Sequence, residues 1–222
     1  MKRISAFKLF ILNLFFIPSS VSMHSDASLP VRPERAKDRV AQDRVTTIML
    51  DPAGDALSFA HALQMHIEQS VPGTRVILTR TANETVRPLQ HANFANRLEV
   101  DLFLSLRCYE DSSTRPQLAM YTFSYGDYAP SRIQDLAFYT YDQAYLLASG
   151  TTQKYAHTME DIFKKYAKQF DLLGSFSLPY KPLIGVKAPA IGIEIGLKNK
   201  QSWQSFVVPL SEAVAEIINA SN

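Results

Sequence analysis

One stretch constrains this chain more than any other. Pro189-Ala190-Ile191-Gly192-Ile193-Glu194-Ile195-Gly196 sets a single carboxylate in a run that is otherwise small or β-branched and apolar. Bounded by Pro and Gly, such a run reads as a strand covered on both faces, as in a parallel sheet flanked by helices. A carboxylate inside it is costly unless a cation, a metal or hydrogen-bond donors meet it. Its pKa then follows those partners, which is how acid/base catalysts arise. The plainer reading puts Glu194 at the strand's carboxyl end, in water and without a role.

The rest of the chain supports an α/β reading. Thr46-Thr47-Ile48-Met49-Leu50-Asp51 is β-rich and stops at Pro52-Ala53-Gly54. Asp55 is expected to cap a helix in which Leu57, Ala60, Leu63 and Ile67 recur at helical spacing, ended by Pro72-Gly73. Arg75 to Arg80 reads as a second strand, a helix follows through Leu89, Ala92 and Asn96, and Asp101 to Leu106 as a third strand. Gln117 to Phe123 is a fourth. Helical spacing recurs through Ile133, Leu136, Ala137, Ala144 and Leu147, and again from Tyr155 to Phe170. Ser177 to Lys187 reads as a loop leading into the Glu194 strand, and Val207 to Ile218 as a closing amphipathic helix. Alternating strands and helices predict a single domain over 45–222, with a mostly parallel twisted sheet flanked by helices. Sites in such sheets lie beyond the strands' carboxyl ends. Asp51, Arg107 and Glu194 all fall there.

With 222 residues, 46% apolar content and a net charge of +2, the chain can bury a core, and nothing in it demands nucleic acid. Met1-Lys2-Arg3, the apolar Leu9 to Ile17 and the small residues Ser19 to Ser22 have the form of a secretory signal over 1–22, with cleavage expected after Ser22 or at the later Ala27. The apolar core is short for a membrane span, although an uncleaved signal anchor is the alternative. No Cys lies near the cleavage region, so a lipoprotein anchor is not expected. Residues 23–44, with Pro30 and Pro33, read as a flexible lead-in. The single cysteine, Cys108, has no partner for an intramolecular disulfide.

Four segments in order then carry a resemblance: Leu50-Asp51-Pro52, Val76-Ile77-Leu78-Thr79-Arg80, the run from Ala95-Asn96-Arg97 to Leu104-Ser105-Leu106, and Pro189 to Gly196. Together they resemble the zinc-dependent N-acetylmuramoyl-L-alanine amidases of the amidase 3 type, over roughly Val45 to the C-terminus. The resemblance implies cleavage of the amide between N-acetylmuramic acid and L-alanine in peptidoglycan. In that chemistry zinc held by two His and a Glu activates water, and a late glutamate, matched by Glu194, serves as base and acid. The ligand positions depart from the pattern. Gly54 stands where the first His belongs, the loop carrying the ligand Glu is deleted around Asp55-Ala56, and Arg107 replaces the second His. Guanidinium is a donor only and does not ligate zinc. His91 stands where the family usually has Arg, and Asn83 where it has Asp.

The resemblance with these losses implies a pseudoenzyme, exported to the periplasm or cell envelope, that binds peptidoglycan or regulates a wall amidase. Glu194 is then a residual catalytic position, Arg107, Asp51 and Asn96 are the expected binding residues, and no cofactor is expected. An active amidase using zinc at a rearranged site (His91, Asp51, Asp55 or Glu194) is the alternative, and a structural or protein-interaction domain a second one; peptidoglycan or another wall protein is the expected partner. Arg107 is expected to face Glu194 as a desolvated pair, with loss of one member costing about 3–5 kcal/mol. His61, His66 and His157 read as surface or flank residues. Cys108, beside Arg107, reads as a small packed thiol rather than a reactive one. Tyr121, Tyr125, Tyr128, Tyr139, Tyr141 and Tyr145 form either half-buried packing or a stacking surface for sugar rings. Asn83-Glu84-Thr85 matches a glycosylation sequon, which has little meaning in a bacterial chain.

Overall fold

A computed structural model describes residues 45–82, 84, 86–126, 139–199 and 202–221. The leader and lead-in, the sequon residues Asn83 and Thr85, Tyr128, and the helix expected through Ile133, Leu136 and Ala137 lie outside the described residues. The strands are β1 (Thr46–Ala53), β2 (Thr74–Leu78), β3 (Leu102–Glu110), β4 (Gln117–Phe123), β5 (Asp171–Leu178) and β6 (Ala190–Leu197). The helices are α1 (Leu57–Ser70), α2 (Pro88–Leu98), α3 (Ser149–Lys165) and α4 (Val207–Asn219). They build one six-stranded sheet in the order β2-β1-β3-β6-β4-β5.

Strands β2, β1, β3 and β6 run parallel, and β4 and β5 run the opposite way. The expected α/β domain with a mostly parallel sheet is therefore present. Helices α1, α3 and α4 bury one sheet face through Phe59, Leu63, Met159, Phe163, Leu210 and Val214 against Ile48, Leu50, Leu104 and Ile193. The other face is covered over part of its area by α2, whose Ala92 and Ala95 meet Met49 and Phe103. The uncovered part of this second face is where a site can form.

Local details correct the sequence reading. Asp55 lies in a 3-10 turn (Gly54–Ala56), and α1 starts after Ala56 without a side-chain cap. The run through Ala144 and Leu147 is a 3-10 turn (Tyr141–Ala148), not an α-helix. The helix expected to reach Phe170 ends at Lys165, and β5 (Asp171–Leu178), for which no strand is expected and whose last two residues read as the start of a loop, is a strand. Its Phe176 and Leu178 align beside Tyr121 and Phe123, so alternation in Ser175-Phe176-Ser177-Leu178 was the overlooked signal. No helix among the described residues is long and apolar enough to cross a membrane.

Candidate functional site

The sheet register assembles the site. Ala53, Arg107, Glu194 and Ala119 are neighbours across β1, β3, β6 and β4, and register partners share a face. The next row inward is Asp51, Ser105, Gly192 and Tyr121. Arg107 Nη1 lies 3.7 Å from Glu194 Oε1, so the expected pairing is present. Its expected desolvation is not: the Arg107 side chain is 60% exposed and that of Glu194 17%. An exposed guanidinium at that distance is screened by water, and the pair is worth at most about 1 kcal/mol.

Tyrosines enclose the carboxylate. The Tyr180 hydroxyl donates to Glu194 Oε1 at 3.0 Å, and its ring stacks on Tyr121 with centroids 4.8 Å apart. Burial pushes the Tyr180 phenol well above its ordinary value, and the Glu194 charge adds to this. Tyr121 and Tyr109 shift the same way, burial first and Glu194 second. Two glycines make room. A Cβ on Gly192 would fall 2.5 Å from Tyr180 Cε1, and one on Gly196 would fall 3.3 Å from the Tyr109 ring. Each glycine thus leaves room for a tyrosine ring to approach β6. Sequence reasoning places Tyr109 at the strand ends but missed Tyr180; a Gly on each side of Glu194, marking close approach, was the available signal.

The other expected residues sit elsewhere. Asp51 is 2% exposed, and the Thr79 hydroxyl donates to its Oδ1 at 2.6 Å. Ser105 donates to its Oδ2 at 3.4 Å. His91 Nδ1 lies 2.7 Å from Asp51 Oδ1 without hydrogen-bond alignment, and its Nε2 is buried with no partner among the described residues. Asp51 is therefore a buried anchor and is not placed to touch a ligand. Asn96 donates to the Gly185 carbonyl at 2.8 Å and accepts from Lys187 N at 2.9 Å, so its amide clamps the backbone to α2. His66 Nδ1 lies 2.9 Å from Ser211 Oγ, joining α1 to α4, while His61 and His157 are exposed. Burial and then the Asp55 charge push the Cys108 thiol up to about 12, which leaves it protonated and unreactive at neutral pH.

These atoms test whether the zinc implied by the resemblance has a site. Gly54 offers no side-chain ligand, Arg107 only donates, and Glu194 is engaged by a phenol. Among the described residues no three His, Cys, Asp or Glu side chains converge to hold a metal ion. The residues present do not fit a three-ligand zinc centre.

No protein-family profile matches the sequence, and no curated protein is detectably similar to it. Solved structures do match. The catalytic domain of CwlV, an N-acetylmuramoyl-L-alanine amidase from Bacillus (Paenibacillus) polymyxa var. colistinus, has a TM-score of 0.53 at 15% identity, covering 79% of this chain and 97% of that one. The N-acetylmuramoyl-L-alanine amidase of Clostridium difficile 630 gives 0.55 at 17%, covering 80% and 96%. That of Mycobacterium smegmatis gives 0.54 at 15%, covering 80% and 98%. The class this defines is one of architecture: the chain has the fold of the N-acetylmuramoyl-L-alanine amidases. At such identity the likeness extends to the fold and not to the chemistry.

Proposed function

We propose that this is an exported amidase-fold protein that binds peptidoglycan at the Arg107–Glu194 end of its sheet and has lost metal-dependent hydrolysis. The observation that supports the reading is a guanidinium and a tyrosine-held carboxylate at the strand ends, where the family resemblance would call for a ligand cage. Its fold neighbours bear the name of an amidase for the muramoyl-L-alanine bond, which supports peptidoglycan as the ligand. Arg107 offers exposed donors to sugar or peptide oxygens, and Tyr109 offers an exposed ring for stacking.

Co-sedimentation with purified sacculi tests this. The protein is expected to pellet with sacculi, and Arg107→Ala to weaken that binding about tenfold. Dye release from labelled sacculi is expected to stay at background. Protein equilibrated with zinc and then desalted should retain no stoichiometric metal. A stoichiometric ion that is lost in Glu194→Ala, together with dye release, would replace this reading by hydrolysis at a rearranged site.

A further inference from the structure

We propose that the groove between α2 and the start of the Tyr141–Ala148 turn is a saccharide-binding site, separate from the Glu194 cluster. The groove has a volume of about 480 Å³ and is lined by Asn93, Asn96, Tyr139, Tyr141, Gly185 and Lys187, among others. That volume is in the range of about 300–1,000 Å³ usual for small-ligand sites. A sugar ring presents flat C–H faces and a rim of hydroxyls. The groove matches both with two tyrosine rings, the planar amide of Asn93, the Thr140 hydroxyl and the Lys187 ammonium. Among the described residues that line it there is no carboxylate, and Lys187 is the charged one.

The walls are built in advance of any ligand. Asn96 holds the Gly185 carbonyl at 2.8 Å and Lys187 N at 2.9 Å. Thr140 N donates to Gln143 Oε1 at 3.1 Å, and Gln143 N to the Thr140 carbonyl at 3.0 Å, so the opposite wall is closed on itself. Gly185 has φ +83°, and a Cβ there would sit 2.7 Å from the Tyr141 ring. The Tyr141 ring thus lies against backbone while the residue stays 51% exposed. Lys187 Nζ stands 5.6 Å from the Tyr139 ring centre, which steers its donors. Fixed walls reduce the ordering cost of binding.

The inference stands apart from the reading above, because sacculus binding through Arg107 can fail while this site holds. Titration of the whole chain with the β-1,4-linked N-acetylglucosamine tetrasaccharide, read by calorimetry and amide chemical shifts, tests it. Binding is expected, weakened about tenfold by Tyr141→Ala and by Asn93→Ala, kept by Tyr141→Phe and unaffected by Arg107→Ala. Asn93 is exposed, so Asn93→Ala should leave Tm unchanged and decides the matter should Tyr141→Ala misfold. The absence of heat and shift changes at about 10 mM sugar, where a millimolar site is filled, would overturn the proposal. So would equal affinity in Asn93→Ala and the parent chain.

Discussion

At Glu194 the carboxylate is held by the Tyr180 phenol at 3.0 Å more firmly than by Arg107 at 3.7 Å. A hydrogen bond to a charged acceptor is worth about 1.5–3 kcal/mol, whereas an exposed ion pair contributes about 1 kcal/mol or less. The position of Tyr180 rests in turn on Gly192, because a methyl there would meet the ring at 2.5 Å. Gly192→Ala is expected to displace the ring, break the bond to Glu194 and destabilise the protein by about 1–3 kcal/mol. Chemical denaturation measures the loss. Equal stability of Gly192→Ala and the parent chain would show that the ring moves freely.

Among the elements, α2 carries more than its length suggests. It covers part of the second sheet face together with Leu183 and Val186, and Asn96 ties it to the 185–187 turn through one donated and one accepted bond. Asn96→Ala leaves both backbone groups without their partner and is expected to cost about 1–3 kcal/mol in urea denaturation. Asn96→Asp should be milder, since it keeps the acceptor for Lys187 N while losing the donor. The two sheet edges differ as well. Val76 on β2 is satisfied by Glu68 Oε1 at 2.8 Å and Gln64 Nε2 at 2.9 Å, so α1 caps that edge. On β5 the bulge at Leu173, with Gly174 at φ +116°, interrupts a strand free of charged side chains from Leu172 to Leu178. Bulges of this kind deter edge-to-edge pairing.

Across the whole molecule, several acids hold their protons longer in the fold than in the unfolded chain. Cys108 is pushed from 9.0 to about 12 by burial and then Asp55, and Tyr180 and Tyr121 move upward through burial and Glu194. Between about pH 9 and pH 12 the unfolded chain releases these protons and the folded chain does not, so stability falls as pH rises. Urea midpoints should drop between about pH 8 and about pH 10.5, and Cys108→Ala should flatten the slope. An unchanged slope in Cys108→Ala would show that the thiol does not contribute.

Period and order in the sequence determined the α/β class and strands β1, β3 and β6, while the pairing of Arg107 with Glu194 came from the family resemblance. The class and the strands follow from apolar runs and helical spacing, which a single chain displays without its neighbours. Strand β5 was hidden because Gly174 and two serines dilute its apolar pattern beside a helix end. Only the tertiary structure decided that Arg107 is exposed while Glu194 is half-buried, since burial depends on what covers a strand end. The same holds for the tyrosines. Tyr180 reaches Glu194 from outside the strand, and Asp51 and Asn96 are held by partners distant in sequence that the fold brings into hydrogen-bond range. Such contacts are set by chain packing over long separations, where no local pattern records them.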